Sequence, residues 1–240
     1  MIKINEVFLS AQGEGLDVGT PTVFLRLSGC NVVCKWCDTK YANEVKEELS
    51  VDDVIRRVLD VDKYSSKRVY ITGGEPLVQV EDVARLVSRL NCIEYDCTIA
   101  TNGTLRAPSW WRTVTWDVDL KCPSSEVFKF DCSWWSVGPK NRIKFVVANR
   151  HDLAFVLKTL SDLLVSFNLA ESTRKEANMP TLIVSPMISQ IGTDDSIHPV
   201  VGMTLMRNNW LQEVWNFCIQ YNLRYSLQIH KVIFGAKKGV

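Results

Sequence analysis

The chain has 240 residues, 46% hydrophobic and 23% charged, with 12 Gly and 8 Pro, a composition that can bury its own core and that excludes disordered, collagen-like and low-complexity classes. Its 28 Lys+Arg against 27 Asp+Glu leave a formal net charge of +1, so there is no basic excess for holding nucleic acid. No apolar run reaches the roughly 18 residues of a membrane span, and residues 1–15 carry no apolar stretch ending in a small-residue cleavage site; a cytoplasmic protein with neither nucleic acid nor membrane as partner is expected.

In chain order, the first short apolar run reading as a buried strand is Val23–Leu27, followed directly by Cys30-Asn-Val-Val-Cys34-Lys-Trp-Cys37. Ser50 and Asp53 form a capping box ahead of Val51, Val54, Ile55, Val58 and Leu59, which recur at helical spacing. A strand at Val69–Thr72 and a helix at Glu81–Leu90 come next, the helix marked by Val83, Leu86, Val87 and Leu90. Strands are expected at Thr98–Thr101, Val114–Leu120 and Ile143–Val147, a helix over His151–Leu164, a strand at Leu182–Ser185, a helix over Leu205–Tyr221 and a last strand at Tyr225–Ile229. Segments 168–180 and 190–202 read as surface insertions in one domain spanning 1–240. Strands and helices alternate without consecutive hairpins, which points to an α/β fold with a mainly parallel sheet, a partial (β/α)6-type TIM-like barrel. In such folds reactive groups gather on the loops after the carboxyl ends of strands, where the cysteine run lies.

Eight cysteines in a chain read as intracellular are thiols, available for metal binding or catalysis rather than for disulfides. Cys92, Cys97, Cys122, Cys132 and Cys218 are scattered, whereas Cys30, Cys34 and Cys37 share one loop. A closed zinc site needs four ligands, and a four-iron cluster held by three thiolates leaves one iron open to bind something else. A zinc site completed by a remote cysteine and a chance grouping of structural thiols are the competing readings. The paired tryptophans Trp110-Trp111 and Trp134-Trp135 suit the cover of a core edge or a subunit interface better than a base-stacking platform.

The C-x3-C-x2-C spacing, with Trp36 just before the third cysteine, resembles the radical S-adenosylmethionine family, and Thr72-Gly73-Gly74-Glu75-Pro76 resembles that family's Gly-Gly-Glu-Pro loop. Within it, the chain resembles the 7-carboxy-7-deazaguanine synthases over most of its length. That likeness is carried by Ala11-Gln12-Gly13-Glu14-Gly15, Arg26, Thr101-Asn102-Gly103-Thr104, Lys121 in Asp-Leu-Lys-Cys-Pro-Ser-Ser, Lys144-Phe-Val-Val, Gln228-Ile-His230 and the tail 235–240. Ala100 stands where the family more often has an acidic residue, and Asp119-Leu120-Lys121 where it often has Ser-Pro-Lys.

The resemblance implies a [4Fe-4S] cluster on Cys30, Cys34 and Cys37, and S-adenosylmethionine contacted by Trp36, Cys37, Asp38, Gly74, Glu75, Asp119, Leu120 and Lys121. In that picture the glycines admit close backbone approach and Glu75 accepts from the cofactor's ammonium group. It implies a pterin substrate, 6-carboxy-5,6,7,8-tetrahydropterin, held by Ala11, Gln12, Gly13, Glu14, Arg26, Thr72 and His230, the last on the final strand. It also implies Mg2+ with Thr39 as its protein ligand, a homodimer, and an electron donor such as flavodoxin or ferredoxin. Two other functions remain open on this sequence: an activase that makes a glycyl radical on a partner enzyme, and a non-catalytic metal or iron–sulfur module.

Overall fold

The central strands alternate between two kinds of side chain, and the fold follows from burying one kind beneath helices and enclosing the other. The computed structural model describes residues 1–166, 178–188, 209–235, 237 and 239. Among these, one sheet contains β1 (Ile2–Ala11), β2 (Pro21–Leu27), β3 (Glu47–Leu49), β4 (Arg68–Gly73), β5 (Asp96–Thr101), β6 (Thr115–Leu120), β7 (Arg142–Val147), β8 (Thr181–Pro186) and β9 (Arg224–Tyr225), in the order β3-β1-β2-β4-β5-β6-β7-β8-β9. Every pairing from β2 to β9 is parallel. The edge strands β3 and β9 do not pair with each other among the described residues, which makes the sheet a partial barrel.

β1 and β3 have no counterpart among the elements expected from the sequence, and they run antiparallel to their neighbours. The register of β1 against β2 shifts between Ile4 and Glu6, and such a bulge breaks the two-residue period by which a strand is recognised. The last expected strand is also corrected. Only Arg224–Tyr225 pairs with β8, because the Ile229 N–H donates instead to Gly13 O at 2.9 Å and Ile229 opens a short helix.

The helices are α1 (Val51–Val61), α2 (Val80–Cys92), α3 (Arg150–Ser166), α4 (Asn209–Gln220) and α5 (Ile229–Phe234). Ser50 Oγ accepts from Asp53 N–H at 3.1 Å, so the expected cap starts α1. Residues 205–208 of the expected helix, 168–177 of the first expected insertion and all of 190–202 lie outside the described residues.

The β5–β6 and β6–β7 crossovers carry no α-helix. There Trp116 and Trp134, both fully buried, pack at 5.0 Å between ring centroids, with Trp110 against Trp116 at 5.5 Å. Their indole N–H groups donate to Trp111 O and Leu105 O, so buried rings stand in for a covering helix while their polar atoms stay satisfied. These rings seal a core edge and offer no stacking platform.

Candidate active site

Alternation places the site. On β2 and β4, Val23, Leu25, Leu27, Val69 and Ile71 enter the helix-covered core, while Phe24, Arg26, Tyr70 and Thr72 face the barrel interior. On β6 and just beyond it, Trp116, Val118 and Leu120 are core, and Asp119 and Lys121 point inward. On β7 the inward positions are Lys144 and Val146. The interior is a cavity of about 280 Å³ whose lining mixes charged and polar groups with aromatic and aliphatic ones, on a scaffold whose other face is apolar.

The loop between β1 and β2 enters this cavity from the amino-terminal end of the parallel strands. Asp17 pairs with Arg142 at the start of β7, at 2.6 Å, and Glu14 reaches Lys144 two residues further along, also at 2.6 Å. The segment after β9 packs onto the same loop. Gly15 N–H donates to Ser226 Oγ at 2.8 Å, Gln228 Nε2 to Glu14 Oε1 at 3.1 Å, and His230 Nε2 lies 3.7 Å from the same oxygen. The first loop and the last segment thus meet across the interior of the open barrel.

A line of alternating charge crosses the cavity: Glu14, Lys144, Asp119, Lys121. Lys144 Nζ stands 3.3 Å from Asp119 Oδ1, Lys121 Nζ donates to Asp119 Oδ2 at 2.9 Å, and Lys121 lies over the Trp36 ring, 5.7 Å from its centroid. Burial alone would raise the Glu14 pKa, but Lys144 and His230 bring it down to about 2. Burial is likewise overcome at Asp119, held low by Lys121 and Lys144, and at Lys144, held high by Asp119 and Glu14.

At the opposite end sits the cysteine loop. Cys30, Cys34 and Cys37 all line the cavity. Burial raises the Cys34 thiol, and Lys121 opposes that shift. Asn102 Nδ2 lies 3.8 Å from Cys30 Sγ and donates to Asn31 Oδ1 at 2.9 Å, while Asn31 donates to Thr104 Oγ1 at 2.8 Å. Trp36 Nε1 donates to Ser124 Oγ at 3.1 Å, fixing the ring beside the cysteines. The remaining thiols are uninvolved: Cys97, Cys122 and Cys218 are buried, and Cys92 and Cys132 are exposed away from the cavity lining.

Of the residues expected at the site, two are not in the cavity. Leu120 is buried in the core, because the pleat that turns Asp119 and Lys121 inward turns it outward. Glu75 is fully buried, and its carboxylate accepts from Leu77 N–H at 2.9 Å, the Thr101 hydroxyl at 2.9 Å and Asn102 N–H at 2.7 Å. Those bonds tie the Gly-Gly-Glu-Pro loop to the Thr-Asn-Gly loop and leave no face for a ligand ammonium. Gly74 lines the cavity and has a packing role besides: a Cβ there would land on the Gly29 carbonyl, so this glycine lets the loop pack on the chain entering the cysteine run. His230 lies on α5 rather than on a strand, yet lines the cavity. Cavity residues to which sequence reasoning gave no site role include Tyr70, Asn102 and Lys144, the last two quoted only as parts of motifs; strict two-residue alternation within β4 and β7 was the signal that could have found Tyr70 and Lys144.

The donor set fits an iron–sulfur cluster. Three thiols on one loop face a common cavity, with the Asn102 amide 3.8 Å from Cys30 Sγ and the Lys121 charge favouring the thiolate of Cys34, surroundings that suit anionic sulfur.

Residues 25–114 match the radical SAM superfamily. Over 234 residues the chain is 32% identical to the 7-carboxy-7-deazaguanine synthase of Methanospirillum hungatei, covering 97% of this chain and 85% of the relative. Over 251 residues it is 33% identical to the 7-carboxy-7-deazaguanine synthase of Clostridium acetobutylicum, covering 99% of each. Its fold is similar to the crystal structure of QueE from Escherichia coli, with a TM-score of 0.67 and 24% identity over 95% of this chain and 94% of that one. The motif residues, the partial barrel and this full-length similarity together assign the chain to the 7-carboxy-7-deazaguanine synthase family, whose members are radical SAM enzymes.

Proposed function

We propose that the chain converts 6-carboxy-5,6,7,8-tetrahydropterin to 7-carboxy-7-deazaguanine with loss of ammonia, using a [4Fe-4S] cluster on Cys30, Cys34 and Cys37, S-adenosylmethionine and Mg2+. The observation that carries this reading is one cavity lined by three thiols at one end and by the partly buried Glu14 carboxylate and Arg26 guanidinium elsewhere on its wall. When bound, the cluster and S-adenosylmethionine supply the 5′-deoxyadenosyl radical that removes a hydrogen atom from the substrate.

The chain's residues bind, orient and exclude water. Arg26 donates through Nε to Glu6 Oε1 at 2.6 Å, and Tyr41 donates to the same oxygen at 2.9 Å. This fixes the guanidinium while its terminal nitrogens remain for the substrate carboxylate. Glu14, held as a carboxylate, suits the N–H edge of the pterin ring, and Gln12, Thr72 and His230 line the same cavity. Trp36, Asp38, Gly74, Asp119 and Lys121 form the set for S-adenosylmethionine. Thr39 lines the cavity and precedes a short 3-10 turn without capping it by its side chain, its Oγ1 lying 3.7 Å from Cys37 Sγ; this is the oxygen we assign to Mg2+, an ion that uses few protein ligands. The assignment includes a homodimer, a flavodoxin- or ferredoxin-type electron donor and a cytoplasmic setting in one domain. A glycyl-radical activase would leave the inward-facing Glu14, Arg26 and His230 without a use, which favours the small-molecule reading.

The test is anaerobic incubation of cluster-reconstituted protein with S-adenosylmethionine, magnesium, a reductant and the pterin, followed by mass spectrometry. Formation of 7-carboxy-7-deazaguanine is expected; 5′-deoxyadenosine without that product would remove the substrate assignment and keep the radical chemistry.

A further inference from the structure

Lys144 bridges two carboxylates of the cavity, Glu14 and Asp119, and has no role in the reading above. Its side chain is 13% exposed; Nζ is 2.6 Å from Glu14 Oε2 and 3.3 Å from Asp119 Oδ1. It comes from β7, a strand independent of the loop that carries Glu14, so it reports on that loop's position relative to the barrel. We propose that Lys144 is a positioning residue for pterin recognition, holding the Glu14 carboxylate in place and charged so that it can accept from the substrate's N–H edge. This rests on the assignment of Glu14 to the pterin.

The groups facing Glu14 come from four elements and the segment between β9 and α5. Lys144 on β7 is a full positive charge in direct contact; Gln228, from the segment after β9, is neutral; His230 on α5 stands 3.7 Å away; Asp119 on β6 and Tyr70 on β4 contribute negative or neutral character. Without Lys144 the remaining contacts are one amide and one imidazole against burial, the influence that pushes a carboxyl toward its neutral form. Asp119, by contrast, keeps Lys121 at 2.9 Å. Loss of Lys144 therefore falls on the substrate side of the cavity more than on the cofactor side.

The sign follows. Glu14 of the wild type, near 2, stays ionised throughout pH 5–8. In Lys144→Met its pKa rises, and pterin binding that needs the carboxylate is lost as pH falls through the new value. The experiment measures pterin dissociation constants anaerobically from pH 5 to 8 for wild type, Lys144→Met and Lys144→Arg, taking the variant-to-wild-type ratio so that titration of the pterin cancels. In parallel, the Glu14 carboxyl is titrated without ligand by carbon NMR, assigned with Glu14→Gln. Expected are at least tenfold weaker binding by Lys144→Met at pH 7, a ratio that grows toward pH 5, recovery to within a few-fold in Lys144→Arg, and S-adenosylmethionine affinity changed by less than threefold. A ratio near one, or a large ratio independent of pH, overturns the proposal while leaving the pterin assignment standing. Failure of the wild type to bind the pterin removes that assignment, and an unmoved Glu14 titration in Lys144→Met overturns the proposal whether or not pterin binds.

Discussion

Glu75→Gln separates a structural carboxylate from a cofactor ligand. The buried carboxylate divides three donors between its oxygens: Leu77 N–H and the Thr101 hydroxyl on Oε1, Asn102 N–H on Oε2. Glutamine keeps one acceptor oxygen and sets its NH2 group against a donor, so that a buried backbone N–H loses its acceptor. Such a group costs about 1–3 kcal/mol, and losing the charge-assisted bonds places the change near the upper end, about 2–3 kcal/mol. For a chain of this size that lowers Tm by roughly 4–12 °C. The effect reaches the cysteines, because the Asn102 side chain bonds Asn31 at 2.9 Å and lies 3.8 Å from Cys30 Sγ; reconstituted Glu75→Gln should hold its iron less firmly. The assay is anaerobic denaturant and thermal unfolding of the unloaded protein, with iron content and S-adenosylmethionine affinity of the loaded protein measured beside it. An unchanged unfolding midpoint together with weakened S-adenosylmethionine binding would refute the argument from burial and return Glu75 to the cofactor.

Arg26→Ala should leave iron content intact and weaken pterin binding about 10–100-fold, the loss expected for a charge-assisted pair worth about 1.5–3 kcal/mol; equal binding by isothermal titration would reassign the guanidinium to its pair with Glu6 alone. Thr39→Ala should lower turnover and flatten its dependence on added magnesium. A magnesium response identical to that of the wild type removes Thr39 as a ligand.

The parallel part of the sheet was legible because short apolar runs bounded by turn residues mark strands buried on both faces, and the cysteine loop because its spacing is itself the signal. What was not legible depended on the other strand of a pair or on the other end of the chain. β1 hides behind a bulge at Ile4 and Glu6. The strand expected at Tyr225–Ile229 has suitable residues, and Ser226 N–H still donates to Val184 O on β8, but Ile229 N–H is captured by Gly13 O, a contact that no local pattern encodes. Leu120 was placed in the site as part of the Asp119–Lys121 segment and Glu75 as the acid of the Gly-Gly-Glu-Pro loop; the pleat sends Leu120 away, and Glu75 is buried with three converging donors on its carboxylate. Lys144 was noted only within Lys144-Phe-Val-Val and given no site role, because its strand reads as an apolar run in which a single lysine looks like an interruption. In a barrel whose interior is the active site, a charged residue at an inward position of an otherwise apolar strand is instead the signature of a cavity wall.

Gly13 shows the same dependence on distant chain, in a form that a double-mutant cycle can measure. A Cβ at this position would lie 2.6 Å from His230 Nδ1 and 2.7 Å from His230 Cβ, closer than carbon contacts permit. Its φ is outside the left-handed region, so alanine meets no backbone penalty and the whole cost arises from the histidine. Gly13→Ala should therefore displace His230 and loosen the Gln228–Glu14 contact, costing about 1–3 kcal/mol as overpacking and raising KM for the pterin without loss of iron. In a His230→Gly background the offending side chain is absent, and adding Gly13→Ala should cost nothing further, giving a coupling energy about equal to the single-mutant cost. Additive effects would mean that the glycine serves the loop's own conformation, and that the meeting of the first loop with the last segment does not shape the substrate end of the cavity.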